Sequence, residues 1–249
     1  MLYAHSYWLY AVVSLITLLA IREYNNLTAL RTRDRWFDSL GVVFGVLMPA
    51  ALYHLGTEAA PALMIGALFF LFVTALARGG EIKDAFLNTA LKTLGVVYIA
   101  LPLSYILLLR RMESGQWWIL FFLTVIWFND SFAYLVGRVL GRRKLSPVIS
   151  PNKTVEGAVA GVLAGMAASV AFNLIAGLGA DIYSVLFISV VIGVTALLGD
   201  LFESLIKRGA GVKDSGTIVP GHGGVLDRID SILFPAPLLY YMLLWLRPV

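Results

Sequence analysis

Long apolar runs recur along the chain, and any fold it adopts has to provide an apolar environment for them. An α-helix needs about 20 apolar residues to cross the roughly 30 Å hydrocarbon layer of a bilayer. With 59% hydrophobic and 14% charged residues, the 249-residue chain cannot hide this surface in a soluble α/β core. We therefore predict an all-α integral membrane protein, a polytopic bundle of about eight (seven to nine) transmembrane helices. Their positions are roughly 6–21, 39–55, 60–77, 91–109, 117–137, 155–177, 183–203 and 231–246.

Lys and Arg are unevenly distributed between the two ends of these spans. If the N-terminus is outside, sixteen of the 19, Lys92 among them, are assigned to the inner loops, and only Arg110, Arg111 and Arg247 lie on the outer side. Positive loops stay in the cytoplasm during insertion. We therefore predict that both termini are outside and that the basic loops are cytoplasmic, in a bacterial inner membrane.

The formal net charge of +4 is explained by this bias and by contact with anionic membrane lipids, so no nucleic-acid partner is predicted. The absence of cysteine excludes disulfides and thiolate metal ligands. Because no Lys or Arg precedes the first apolar run, we expect a retained span and not a cleaved signal peptide. We divide the chain into residues 1–116 and a catalytic region, residues 117–249, each with about four spans.

Acidic residues occur inside or at the ends of the later spans, where they are energetically expensive and indicate function. Asp130 interrupts the fifth span, Glu156 begins the sixth, and Asp200 lies at the inner end of the seventh. On a helix, Asp200 starts a single polar stripe. Its other members are Glu203, Ser204, Lys207 and Arg208.

The segment Ser204–Asp230 differs from the rest of the chain, with four cations, three carboxylates, one histidine and six glycines. Glycines let backbone N–H groups approach phosphate oxygens closely. Lys207, Arg208 and Lys213 supply positive charge for a polyphosphate, and Arg suits bidentate contact best. The composition therefore predicts a phosphate-binding segment, in which His222 is expected to contact phosphate.

Asp227 and Asp230 are three residues apart and fall on one face at the start of a helix. Mg²⁺ commonly takes one or two carboxylates and completes its shell with water and substrate oxygens. The two aspartates therefore predict a Mg²⁺ site. Two structural alternatives remain open: Asp230 as the N-cap of the last span, and Asp227 as a capping or ion-pairing residue.

A second basic loop on the inner side ends in the block from Ser150 to Gly157. Pro151 is expected near the start of the sixth helix, with Lys153 and Thr154 in its first turn, where N–H groups form an anion site. The alternative is a simple capped helix below a basic loop.

The sequence around these residues resembles that of the phosphatidate cytidylyltransferase (CDP-diacylglycerol synthase) family. The resemblance extends from about Trp127 to Asp230, and includes Asp130 to Tyr134 and Ser150 to Gly157. The residues that match the C-terminal signature of the family are Ser204, Lys207, Arg208, Lys213, Asp214, Gly216, Pro220 to Gly224, Asp227, Arg228 and Asp230.

The resemblance implies transfer of a cytidylyl group from CTP to phosphatidic acid, with Mg²⁺, room for a second monovalent or divalent cation, and a homodimer. It implies that Asp200 and Asp227 are metal ligands, and Asp230 remains a third candidate from its spacing to Asp227. Lys207, Arg208 and Lys213 join Asp200 and Asp227 as catalytic residues, and Lys153 is expected to hold a substrate phosphate. The remaining expected substrate-binding residues are Ser150, Asn152, Thr154, Glu156, Ser204, Asp214, His222, Gly223, Gly224 and Arg228.

Two other functions fit parts of the same pattern. A CTP-dependent lipid kinase of the dolichol-kinase type would use the same metal and phosphate chemistry. An ion-coupled transporter could use Asp130 and Asp200 near the middle of the membrane. The clustering of polar residues at one membrane face argues against transport.

Overall fold

The computed structural model describes residues 2–28, 34–79, 81–216 and 223–246. Nearly all of this is helical. The elements are α1 (Leu2–Thr28), α2 (Arg35–Leu55), α3 (Ala59–Arg78), α4 (Ile82–Gly95), a π-helical turn (Val96–Ala100), α5 (Leu101–Arg111), α6 (Gly115–Leu140), β1 (Lys144–Ser146), β2 (Ser150–Thr154), α7 (Val155–Ala176), α8 (Ile182–Gly209), α9 (Leu226–Leu233) and α10 (Pro235–Leu246).

Within these residues, eight helical stretches are long and apolar enough to cross a membrane. The predicted all-α fold and the number of spans are therefore confirmed. The bounds differ most at the fourth span, which runs over Ile82–Arg111 and so begins nine residues before its predicted start at residue 91. The first helix also continues to Thr28, well past its predicted end at residue 21.

Two compact units make up the chain, and each draws on separate parts of the sequence. The first unit contains Met1–Leu108 and Gly209–Ile229, and the second contains Leu109–Arg208 and Asp230–Val249. Most of the glycine-rich segment thus belongs to the first unit, while α8 up to Arg208 belongs to the second. The predicted division into residues 1–116 and a catalytic region, residues 117–249, stays a prediction.

A buried lysine holds α1, α2 and α4 together in the first unit. Lys92 is 1% exposed, although the sequence placed it in a cytoplasmic loop. Its ammonium group lies 2.6 Å from Asp38 Oδ1 and donates to Asn25 Oδ1 and Thr28 Oγ1, both at 3.0 Å. Three polar partners on two other helices compensate for the loss of water around the charge. The placement of Lys92 in a loop was therefore wrong.

We expect Lys92→Met to lower the free energy of unfolding by roughly 2 kcal/mol or more. Removing one member of a fully buried ion pair costs about 3–5 kcal/mol, and the partial exposure of Asp38 reduces this cost. Unfolding in mixed detergent micelles measures the change. Lys83→Met, on the exposed part of the same helix, is the matched control. Equal stability of the two variants would contradict a stabilising role for the Lys92 contacts.

In the second unit, α6 and α7 approach closely along the α7 glycines at positions 157, 161 and 165. A Cβ atom on Gly161 would come within 2.6 Å of the Asn129 carbonyl oxygen. Larger side chains on this α7 face would therefore push the two helices apart. This close packing fixes the position of the neighbouring Asp130 on α6.

Ahead of α7 lies a short antiparallel hairpin in which Lys144 pairs with Thr154 and Ser146 pairs with Ser150. The expectation that Lys153 and Thr154 lie in the first helical turn was wrong, because both belong to β2. Thr154 has extended backbone and is the N-cap of α7, where its hydroxyl accepts from Gly157 N. Pro151 likewise lies in the strand and not at the first helical position.

Candidate functional site

The start of α9 organises part of the glycine-rich segment around Asp227. We refer to residues 213–216 and 223–227 as the Asp227 loop. Asp227 Oδ2 accepts hydrogen bonds from Gly224 N at 2.7 Å, Ser215 N at 3.0 Å and Ser215 Oγ at 2.9 Å. A single carboxylate oxygen thereby joins two stretches of chain that are twelve residues apart. Asp227 lies inside α9 and holds the loop ahead of the helix without being its N-cap, and its predicted metal role stays a prediction.

Position 223 has to be glycine because of its backbone conformation and its closeness in space to the Asp227 carboxylate. Its φ is +87°, a conformation that L side chains rarely adopt. A Cβ atom there would also lie only 2.6 Å from Asp227 Oδ2. Any other residue at position 223 would strain the backbone and displace the carboxylate.

Two of the cations predicted for phosphate binding, Lys213 and Arg208, are exposed, whereas Lys207 is half-buried. Asp214 in the Asp227 loop and Arg228 on α9 are also exposed. His222 lies outside the described residues, so its expected phosphate contact stays a prediction.

The second unit contains a separate group of charged residues, the Asp200 cluster, formed by Asp130, Lys153, Asp200 and Asp230. Lys153 Nζ lies 2.5 Å from Asp200 Oδ2. Asp130 and Asp230 each lie close enough to Asp200 to interact with it electrostatically, and Lys153 also interacts with Asp130. Residues from α6, β2, α8 and α9 therefore meet at one place in this unit.

The polar stripe predicted on the seventh span lies on one continuous helix, α8. Ser204 Oγ donates to Asp200 Oδ1 at 3.4 Å, and Lys207 Nζ donates to Glu203 Oε2 at 2.7 Å. Glu203 is fully buried, so the Lys207 ammonium group neutralises a carboxylate in an apolar environment. The stripe is thus partly an internal ion-pair network and not a solvated helix end.

Asp230 does not have the N-cap position considered for it. The helix α9 begins at Leu226, so Asp230 lies one turn inside it and is 8% exposed. Its Oδ1 accepts from Ser231 N at 2.7 Å. Its side chain also contacts Glu203 and senses the charges of Asp200 and Lys207. Asp230 therefore faces the charged groups of the second unit and does not cap a helix.

The charge balance around the Asp200 cluster fits a divalent cation. Four carboxyl groups, with Glu203 included, meet two lysines, Lys153 and Lys207. Glu203 and Asp230 are buried, and excess negative charge beside buried carboxyl groups is costly unless a cation compensates it. Among the described residues, no three His, Asp, Glu or Cys side chains are arranged to hold a metal by themselves. Because Mg²⁺ can be held by one or two carboxylates together with substrate oxygens and water, the predicted metal site stays a prediction.

The Ser150–Gly157 block has structural contacts at several predicted substrate-binding positions. Glu156 accepts from the backbone N–H groups of Arg142 and Arg143 and thereby closes the hairpin. Thr154 is buried as the N-cap of α7, whereas Asn152 is exposed and Ser150 is half-buried. Among the described residues of this block, only Lys153 belongs to the Asp200 cluster, through its ion pair with Asp200.

One residue of the site region was missed in the sequence. Glu23, on α1, is 2% exposed and accepts hydrogen bonds from the Asp227 loop. An acidic residue within a membrane span is costly and usually functional, so a longer first span would have identified Glu23 as a candidate. The predicted first span ended at residue 21, which placed Glu23 in a loop beside Arg22.

Comparison with known proteins shows the family to which the chain belongs. The profile of the Cytidylyltransferase family matches residues 1–246. A phosphatidate cytidylyltransferase of Bacillus subtilis (strain 168) is 46% identical over 152 residues, covering 61% of this chain and 56% of that protein. The enzyme of the same name from Staphylococcus haemolyticus (strain JCSC1435) is 32% identical over 232 residues, covering 92% and 87%. That from Staphylococcus aureus (strain COL) is 30% identical over 233 residues, covering 93% and 88%.

These similarities confirm the resemblance noted in the sequence and extend it to the N-terminal spans, where the sequence showed only general apolar character. The family match covers both compact units and every residue of the Asp227 loop and the Asp200 cluster. The chain belongs to the cytidylyltransferase family.

Proposed function

We propose that this protein is a phosphatidate cytidylyltransferase, which converts CTP and phosphatidic acid to CDP-diacylglycerol and pyrophosphate. The observation that carries the proposal is the similarity, over 92% of the chain, to a protein named for this activity. The reaction supplies an activated lipid for phospholipid biosynthesis. The carboxylates and lysines of the described site are the groups that such a reaction between two phosphates requires.

The proposed step is in-line nucleotidyl transfer. An oxygen of the phosphatidate phosphate forms a bond to the α-phosphorus of CTP, and the bond from that phosphorus to the β-phosphate oxygen breaks. Pyrophosphate leaves with the bonding electron pair. The attacking phosphate is already ionised near neutral pH, so the step needs no general base and no covalent protein intermediate. Positioning and charge neutralisation supply the catalysis.

Bound Mg²⁺ would neutralise phosphate charge. Asp200 and Asp230 of the Asp200 cluster are candidate ligands, and Asp227 of the Asp227 loop is a separate candidate. A second cation is compatible with the remaining carboxylates. The Lys153 contact with Asp200 supports a place for a substrate phosphate beside this lysine.

Lys207, Arg208, Lys213 and His222 are the proposed partners of the CTP phosphates. Lys207 already neutralises Glu203, so its ammonium group is held in a defined position on α8. Exposed Arg208 and Lys213 provide charge that is accessible to a nucleotide. The uneven distribution of Lys and Arg supports catalysis at the cytoplasmic face of a bacterial inner membrane, with both termini outside. A homodimer is proposed from the resemblance.

Two singly labelled samples of CTP test the reaction and separate it from the kinase alternative. Purified protein in phosphatidic acid vesicles with Mg²⁺ is given CTP labelled at either the α- or the γ-phosphorus. The proposal expects only the α-label in the lipid fraction and the γ-label in pyrophosphate. A chelator should stop both. Transfer of the γ-label to lipid would instead show a CTP-dependent lipid kinase.

A further inference from the structure

Glu23 on α1 is buried against a part of the chain about 200 residues away in sequence. The carboxylate is 2% exposed. Its Oε1 accepts from Val225 N at 2.9 Å, and its Oε2 accepts from Leu226 N at 2.8 Å. The Ser215 hydroxyl lies 3.2 Å from Oε2. All these contacts lie within the first unit.

The two backbone groups that Glu23 binds are those at the start of α9. The first N–H groups of any helix have no partner within the helix, and the helix N-terminus carries partial positive charge. Here, a carboxylate from another helix satisfies two of these donors and places negative charge at that end. Glu23 therefore fixes the point at which α9 begins, immediately before Asp227.

Ser215 connects the two carboxylates directly. Its hydroxyl lies 2.9 Å from Asp227 Oδ2 and 3.2 Å from Glu23 Oε2. Since a hydroxyl has one hydrogen, Ser215 can donate to only one of them at a time. A change at Glu23 thus alters the hydrogen bonding of Asp227 through a single intervening side chain.

Two glycines of the family signature leave room for the Glu23 carboxylate. A Cβ atom on Gly216 would lie 2.7 Å from Glu23 Oε1, and one on Gly224 would meet Glu23 Oε2. The absence of side chains at these positions is therefore explained by the approach of α1, in addition to any close approach of phosphate.

We propose that Glu23 is a positioning residue for catalysis, which holds the Asp227 loop and the start of α9 so that the Asp227 carboxylate is correctly oriented. This inference rests on the proposed function for the catalytic importance of Asp227. A carboxylate in an apolar environment is costly, and simple packing would be served by an apolar side chain. The described partners of Glu23 are all N–H or O–H donors from the Asp227 loop and the first residue of α9.

Glu23→Gln tests the proposal with almost no change in side-chain shape. The amide keeps one acceptor oxygen and presents an NH₂ group to one of the N–H donors, so one contact becomes repulsive. Loss of an outer hydrogen-bonding partner of a metal-site residue typically costs about 10–100-fold. We expect kcat/KM for CTP to fall by about that factor and the Mg²⁺ concentration for half-maximal activity to rise. Glu23→Asp keeps two acceptor oxygens and should recover part of the loss.

Glu113→Gln, at an exposed position in the second unit, is the matched control and should behave like the unmodified protein. A folded Glu23→Gln protein with unchanged kcat/KM and unchanged Mg²⁺ response would overturn the proposal. So would a loss of activity that follows only the amount of folded protein.

Amide hydrogen exchange provides a readout that does not depend on activity. In Glu23→Gln, exchange at Val225 and Leu226 should be faster by about tenfold or more, because a charge-assisted hydrogen bond is lost. If the unmodified protein transfers no α-label to lipid, the proposed function fails, and this exchange measurement still tests how Glu23 holds the loop. Unchanged exchange at both amides would refute the positioning role.

Discussion

Asp227→Asn is expected to reduce cytidylyl transfer by about a hundredfold or more while leaving the Asp227 loop folded. Asp227 Oδ2 accepts three hydrogen bonds that join residues 215, 224 and 227. The single amide oxygen of Asn can take over these contacts, while the NH₂ group replaces the other carboxylate oxygen. The loop therefore stays folded, but the negative charge that could bind a metal ion is lost. Removing one group that stabilises transition-state charge typically costs about 10²–10³-fold in kcat.

The rate of α-label transfer from CTP to lipid measures this loss, and the unfolding midpoint in detergent checks that the protein is intact. Asp84→Asn, in the exposed first turn of α4, is the matched control. Near-normal turnover by a folded Asp227→Asn protein would remove Asp227 from the catalytic residues and leave it a loop-organising role only.

Asp200→Asn should cause a loss of similar size, about a hundredfold or more, for a related reason. Asp200 is the residue through which the Asp200 cluster is connected, since Lys153, Asp130 and Asp230 all interact with it. The amide removes the charge that holds Lys153 and lowers the attraction of the cluster for a divalent cation. We therefore expect a higher Mg²⁺ requirement as well as a lower kcat.

A control on the same helix separates this effect from any disturbance of α8. Asp181 is exposed just before α8, where its Oδ1 accepts from Tyr183 N and Ser184 N, both at 3.0 Å. Because Asn is as good an N-cap as Asp, Asp181→Asn should leave the rate and the Mg²⁺ response unchanged. An Asp200→Asn protein that responds to Mg²⁺ as Asp181→Asn does would contradict the assignment of Asp200 to the metal.

Much of the fold could be predicted because it depends on local properties of the sequence. Apolar runs of the right length predict spans, and the spacing from Asp200 to Arg208 predicts one face of a helix. Both were found in α8 and its neighbours. The hairpin before α7 was missed because Pro151 was expected near the start of a helix. A proline equally favours extended backbone in the residue before it, as in strand β2.

Residues whose environment depends on distant parts of the chain could not be placed in this way. Lys92 and Glu23 both read as loop charges, because charge at the end of an apolar run usually marks a membrane boundary. Lys92 is buried because Asp38 and Asn25 on other helices compensate it. Glu23 is buried because its partners lie near position 225. Sequence spacing along one helix contains no information about either set of partners.

The hydrogen bond from Leu226 to Glu23 spans 203 residues, and this affects the order in which the protein can be completed during synthesis. The first helix is made and inserted long before residues 215–226 leave the ribosome. Until then, its carboxylate lacks its native donors and must remain hydrated or bind another group. The native contacts of Glu23 thus form only when nearly the whole chain has been translated. A nascent chain that stops before residue 215 would carry an uncompensated acidic group in its first span, a feature by which quality control could distinguish it from the finished enzyme.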